Sequence, residues 1–121
     1  MPPSFSVGTD IVDVARVGKL ARSKNFLDRV FTAAEQAYCK GKKNSAQHFA
    51  VRFAAKEAVW KALSDLRVRG IGHREIGVLR AQSGKPSVSL SPRLKKYERK
   101  ISLSLSHTRE YAVAMALFHN P

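Results

Sequence analysis

Two carboxylates in this sequence stand in apolar surroundings. Asp10 lies in "VGTDIV" and Glu57 in "RFAAKEAVWKAL", in a chain with nine Asp and Glu against 22 Lys and Arg. Each has a local explanation. Asp10 can cap the helix that begins within a few residues, and Glu57 precedes Lys61 by four residues, the favourable orientation for a helix ion pair. Together they suit a second role. A hard cation such as magnesium takes oxygen ligands, often only one or two carboxylates from the protein, and leaves room for waters and substrate phosphates. Arg52, Lys56 and Lys61 share a segment with Glu57; they would contact those phosphates and spread transition-state charge.

That segment raises a question of its own. At about 100° per residue, Phe49, Phe53, Trp60 and Leu63 fall on one helical face, with Lys56 inside the stripe and Arg52, Glu57 and Lys61 flanking it. A purely structural helix keeps charges on the opposite face, because an unpaired buried charge is costly. Phosphate binding gives these charges a reason, and Trp60 is expected in the core.

Other motifs carry less. "SGKP" (83–86) could bring backbone N–H groups and Lys85 to a phosphate, though it lacks the P-loop pattern and also reads as a hairpin turn. His107, in "SHTRE", could donate to a phosphate or serve as an acid–base group. His48, His73, His107 and His119 have no zinc-type spacing, and there is no G-x-S-x-G. The lone Cys39 cannot form an internal disulfide and suits a reducing cytoplasm.

These residues need a scaffold. With 121 residues the chain is expected to be one domain, 1–121, and its 44% hydrophobic and 26% charged residues are ordinary for a soluble globular protein. No apolar stretch approaches the roughly 20 residues of a membrane span, and "MPPSFSVGTD" has neither a basic start nor an apolar signal region, so export is not expected. The net charge of +13 is not ordinary; it points to a polyanionic, phosphorylated or acidic partner.

The coarse elements follow from periodicity and punctuation. Residues 5–12 read as a strand with a turn-like Gly8-Thr9, and "DVARVGKLARSK" as a short amphipathic helix. "NFLDRVF" reads as helical with Asn25 as its cap. "TAAEQAYCKG" has Thr32 and Glu35 at capping-box spacing and Gly41 as its stop. Ser45 is the expected cap of a long helix over 46–64. "EIGVLRA" and "PSVSL" read as strands joined by "QSGKP", and "SPRLKKYERK" as a short helix starting at Pro92. Ile101, Leu103 and Leu105 alternate with serines, and "YAVAMALF" returns as the antiparallel partner strand. Helices come mainly from the first half and an antiparallel sheet mainly from the second, an α+β domain.

The motifs "VGTDIVDVARV", "FTAAE", "RFAAKEAVWKAL", "SGKP" and "SLSHTREYAVAMALF", in this order from Val7 to Phe118, resemble those of bacterial holo-acyl carrier protein synthases, the small 4′-phosphopantetheinyl transferases. The resemblance implies that fold, and transfer of 4′-phosphopantetheine from coenzyme A to a serine of apo-acyl carrier protein, releasing adenosine 3′,5′-bisphosphate. It implies magnesium held by Asp10 and Glu57, and Lys61 on the coenzyme A diphosphate. Arg52, Lys56, Pro86, His107 and Thr108 would lie around the coenzyme A site. Glu57, or a water that it orients, is the candidate general base, which makes Glu57, Lys61 and Asp10 the catalytic set. The acidic carrier would dock on Arg16, Lys19, Arg22 and Lys24. The resemblance also implies a cytoplasmic homotrimer with active sites between subunits, and no nucleic-acid or membrane partner.

The sequence departs from the family pattern at three points. Val51 stands where Gly is frequent, "GHREIGV" is looser than the usual aromatic–acidic–"IEV" run, and Val12 stands where larger transferases carry a further acid. Two rival readings stand beside the resemblance. A basic nucleic-acid-binding domain accounts for +13 but not for Asp10 and Glu57, and an inert coenzyme A-binding homologue leaves the Asp10, Glu57, Lys61 set unexplained.

Overall fold

The computed structural model describes residues 4–80 and 83–120. Its first strand, β1 (Phe5–Asp13), runs straight through Gly8 and Thr9, so the turn expected there does not form. Phe5, Val7 and Ile11 face outward, whereas Ser6 and Gly8 are buried. The small residues are inward because the long helix α4 (Ser45–Ser64) lies directly on this face. A side chain at Gly8 would collide with the Ala58 carbonyl oxygen of α4.

Strand β5 (Tyr111–His119) sits between β1 and β4 (Ile101–His107), antiparallel to both. Its inward residues Ala112, Ala114 and Ala116 are fully buried, as are Ala54, Ala58 and Ala62 of α4. Alanine on both surfaces brings helix and sheet close together, and the burial is of methyl groups at native density. On its other sides α4 meets α1 (Val14–Leu20) and α3 (Ala33–Lys40). Phe26 of α2 (Lys24–Val30) reaches Phe53, and Phe31 lies 4.9 Å from Phe49 between ring centroids. Helix α4 is therefore buried around most of its circumference, and the single apolar stripe was too narrow a reading. Trp60 is the exception to the expected core: it is 43% exposed.

Local chemistry sets the helix starts. Asp13 accepts from Arg16 N–H to cap α1, and Ser23, not Asn25, caps α2 by accepting from Phe26 N–H. The capping box of Thr32 and Glu35 opens α3, and Gly41 ends it. Helix α4 starts after Asn44, which makes no side-chain cap bond, and Ser45 is already helical.

Strands β2 (Ile76–Arg80) and β3 (Pro86–Leu90) pair with each other as a separate two-stranded sheet, with β3 against β4. Ala81 of "EIGVLRA" and Gln82 of "QSGKP" lie outside the described residues; Gly84, before β3, has φ +85°, a conformation that favours glycine. The segments His73–Glu75 and Pro92–Lys100 are 3₁₀ helices. This is the expected α+β arrangement, with β1 as the first-half strand that completes the second-half sheet. Among the described residues no helix is long and apolar enough to cross a membrane.

Candidate active site

Close contact between β1 and α4 at Gly8 determines what happens two residues further along the strand. Asp10 has the same strand parity as Gly8, so it faces α4 where Glu57 and Lys61 emerge one turn apart. Lys61 Nζ donates to the Thr9 carbonyl at 2.9 Å and to Asp10 Oδ1 at 3.3 Å. Burial raises the pKa of Asp10 above the ordinary aspartate value; Lys61 opposes this, and the negative charge of Glu57 adds to it. Asp10 is therefore not the cap of α1, a role Asp13 fills. Glu57 is not paired to Lys61 either: its Oε1 lies 2.9 Å from His73 Nε2.

The donor set can be tested for magnesium. Among the described residues no cluster of three or more His, Cys, Asp or Glu side chains forms. What β1 and α4 bring together is two carboxylates close enough for one to perturb the other, with a lysine beside them. A like-charged pair of hard oxygen ligands fits a small divalent cation that keeps waters and substrate oxygens in its shell.

A second cluster lies further along α4. A cleft of about 390 Å³ is lined by Arg52, His48 and Tyr38, by Arg80 and Pro86 of the β2–β3 hairpin, and by His107 at the end of β4. Arg52 is 7% exposed. Its guanidinium lies 4.3 Å from the Tyr38 ring centroid, one terminal nitrogen donates to the His48 carbonyl at 3.3 Å, and Nε has no partner among the described residues. Burial lowers the His48 pKa first, and the positive charges of Arg52, Lys42, Arg80 and His107 lower it further. A cleft with this cationic wall and an unpaired buried donor is suited to an anion.

The structure thus collects Asp10, Glu57 and Lys61 in one cluster, and Arg52, Pro86 and His107 in another. Thr108 follows β4 in a turn, where its hydroxyl accepts from Glu110 and Tyr111 N–H. Lys56 belongs to neither cluster. It is fully buried, and Nζ donates to Glu35 Oε1 at 2.6 Å and to the Ile76 carbonyl at 2.5 Å. That geometry keeps it off any phosphate, and it corrects the expectation that all three cations of the segment face the ligand. Arg16 and Lys19 project from α1, with Arg22 and Lys24 just beyond; all four are exposed, and Lys24 pairs with Asp28 at 2.6 Å.

Residues 6–116 match the model of the 4′-phosphopantetheinyl transferase superfamily. The chain belongs to this family, among its holo-acyl carrier protein synthases. The holo-[acyl-carrier-protein] synthase of Protochlamydia amoebophila is 40% identical, covering 95% of this chain and 98% of the relative. That of Chlamydia felis is 44% identical, covering 92% and 93%. The crystal structure of the Bacillus anthracis synthase in complex with CoA (3′,5′-ADP) superposes with a TM-score of 0.79 at 30% identity, over 96% of each chain.

The contact of His73 with Glu57 is not foreseen in the sequence, where His73 is weighed only as a zinc ligand. The signal that could have found it is a histidine beside Gly72 in a basic loop following the helix that carries Glu57. Tyr38, His48 and Arg80 were also missed as cleft residues, because α3, α4 and β2 supply them from separate parts of the chain.

Proposed function

We propose that this chain transfers 4′-phosphopantetheine from coenzyme A to a serine hydroxyl of an acidic apo-acyl carrier protein, releasing adenosine 3′,5′-bisphosphate. The observation that carries the reading is the meeting of Asp10, Glu57 and Lys61 between β1 and α4. Asp10 and Glu57 are the residues that would hold magnesium, and the chemistry it supplies when bound is neutralisation of diphosphate charge. Lys61 is 45% exposed at its side chain. It can therefore leave the Thr9 carbonyl for a phosphate oxygen and stabilise the departing bisphosphate.

Glu57, directly or through a water, accepts the serine proton as the Oγ–phosphorus bond forms and the bond to the bisphosphate oxygen breaks. Arg52 and His107 bind phosphate in the cleft, with Pro86 as part of its wall and Thr108 next to His107 in the turn after β4. Arg16, Lys19, Arg22 and Lys24 receive the acidic carrier, and charge complementarity accelerates the encounter. Exposed Phe5, Val7, Ile11, Tyr111, Val113 and Met115 support a homotrimer that covers the outer sheet face, with active sites shared between neighbours. The buried free thiol of Cys39, its pKa pushed up to about 11 by burial, supports a cytoplasmic setting.

The test is the intact mass of an apo-acyl carrier protein incubated with the chain, coenzyme A and magnesium. The expected result is a gain of one phosphopantetheine, lost with chelator and slowed roughly 10²–10⁴-fold by Glu57→Ala. No gain with several diverse carriers, despite bound coenzyme A, would mean an inert homologue. Steeply salt-dependent binding to generic nucleic acid, without coenzyme A binding, would return the basic-domain reading.

A further inference from the structure

We infer that His73 is a positioning residue for Glu57: its imidazole N–H holds Oε1 and so presents Oε2 to the bound cation. The inference rests on the proposed role of Glu57 as a metal ligand. Nε2 of His73 lies 2.9 Å from Glu57 Oε1. An ionised carboxylate can only accept, so Nε2 carries the hydrogen. Among the described residues no other hydrogen bond reaches the Glu57 carboxylate, which leaves Oε2 for a ligand. Lys61 does not compete for Glu57, because its ammonium is engaged with Thr9 and Asp10 of β1.

The histidine is itself held from two sides. Its ring stacks on Phe53, one turn before Glu57 on α4, with centroids 6.0 Å apart and planes at 19°. Its 3₁₀ turn is clamped through Glu75, whose carboxylate accepts from Gly72 N–H, Ser91 Oγ and both Nε and a terminal nitrogen of Arg93, at 2.7–3.0 Å. The same arginine donates to the Arg69 and Gly70 carbonyls, both at 3.1 Å, fixing the loop that leads into the turn. A glutamate with three free torsions loses that freedom when it binds a metal; a fixed N–H on one oxygen removes part of the loss beforehand.

Two substitutions separate the N–H from the ring. His73→Phe keeps the stack on Phe53 and removes the donor, and His73→Gln keeps a donor and removes the stack. Manganese(II) is titrated into each full-length protein with coenzyme A bound, and the free ion is read by electron paramagnetic resonance, beside Glu57→Ala. The expected result is manganese affinity about tenfold weaker for His73→Phe and within about twofold of wild type for His73→Gln. The magnesium concentration for half-maximal rate should rise in parallel for His73→Phe. Wild-type affinity in His73→Phe, with affinity lost in Glu57→Ala, overturns the inference and leaves Glu57 as ligand. Equal weakening in both His73 variants also overturns it, since the ring and not the N–H would then matter. Wild-type affinity in Glu57→Ala overturns the ligand role itself.

Discussion

The ammonium of Lys56 is wholly enclosed, and burial pulls its pKa down from the ordinary lysine value even with Glu35 beside it. Glu35 uses both oxygens: Oε1 accepts from Thr32 N–H and Lys56, and Oε2 from Val78 N–H. One carboxylate thus joins the start of α3, the middle of α4 and β2, and holds the hairpin wall of the cleft against the helix that carries Glu57. An amide cannot replace it, because the NH₂ group of a glutamine would face an N–H or an ammonium. Glu35→Gln is expected to cost about 3–5 kcal/mol. Lys56→Met should cost less, since Glu35 keeps two backbone donors, Thr32 N–H and Val78 N–H. Urea denaturation of both variants checks the order, and a milder Glu35→Gln would refute it. The capping role of Glu35 was legible because it is local, Thr32 to Glu35. Its partnership with Lys56 was not, since it spans 21 positions and no periodicity encodes it. Lys56 therefore reads as a phosphate ligand from its place among the charges of its segment, and the contact of His73 with Glu57, 16 positions apart, is equally hidden.

At the scale of elements, the site depends on how closely β1 approaches α4. Gly8 and the alanines of β5 and α4 permit that approach, and Asp10 reaches the helix because of it. Gly8→Ala puts a methyl group against helix backbone, which cannot move as a side-chain tip can. The expected cost is about 3 kcal/mol, with a loss of transfer rate as Asp10 is pushed from Glu57 and Lys61. Chemical denaturation and the carrier mass assay read the two effects, and a variant within about 0.5 kcal/mol of wild type would refute the packing argument. Strand limits were legible from alternation, as in Ile101, Leu103 and Leu105, and the limits of α3 from Thr32, Glu35 and Gly41, whereas Asn25 and Ser45 misplace the caps of α2 and α4. Which face of β1 points inward was not. That depends on what covers each face, and here the large apolar residues are on the uncovered one.

For the whole molecule, that uncovered face and the net charge make opposite demands. Phe5, Val7, Ile11, Tyr111, Val113 and Met115 form an apolar surface of a kind that favours association, while copies carrying +13 each repel one another. Salt screens the repulsion over a Debye length of about 8–10 Å at physiological strength and leaves apolar burial intact, so rising salt should strengthen self-association. The acidic carrier is attracted by the same charge, so its binding should weaken as salt rises. Ile11→Asp separates the two surfaces. Its side chain is outside the core, 63% exposed, so the chain should fold, yet it adds a carboxylate to the middle of the apolar face. Sedimentation velocity is expected to give a trimer for wild type and 13.4 kDa chains for the variant, with transfer activity lost if, as proposed, neighbouring chains share each site. A variant that sediments as wild type would place the interface elsewhere, and a monomeric, active wild type would end the shared-site reading. Arg16→Glu should do the converse: it leaves the sedimentation unchanged, raises KM for the carrier protein but not for coenzyme A, and flattens the salt dependence of the carrier step.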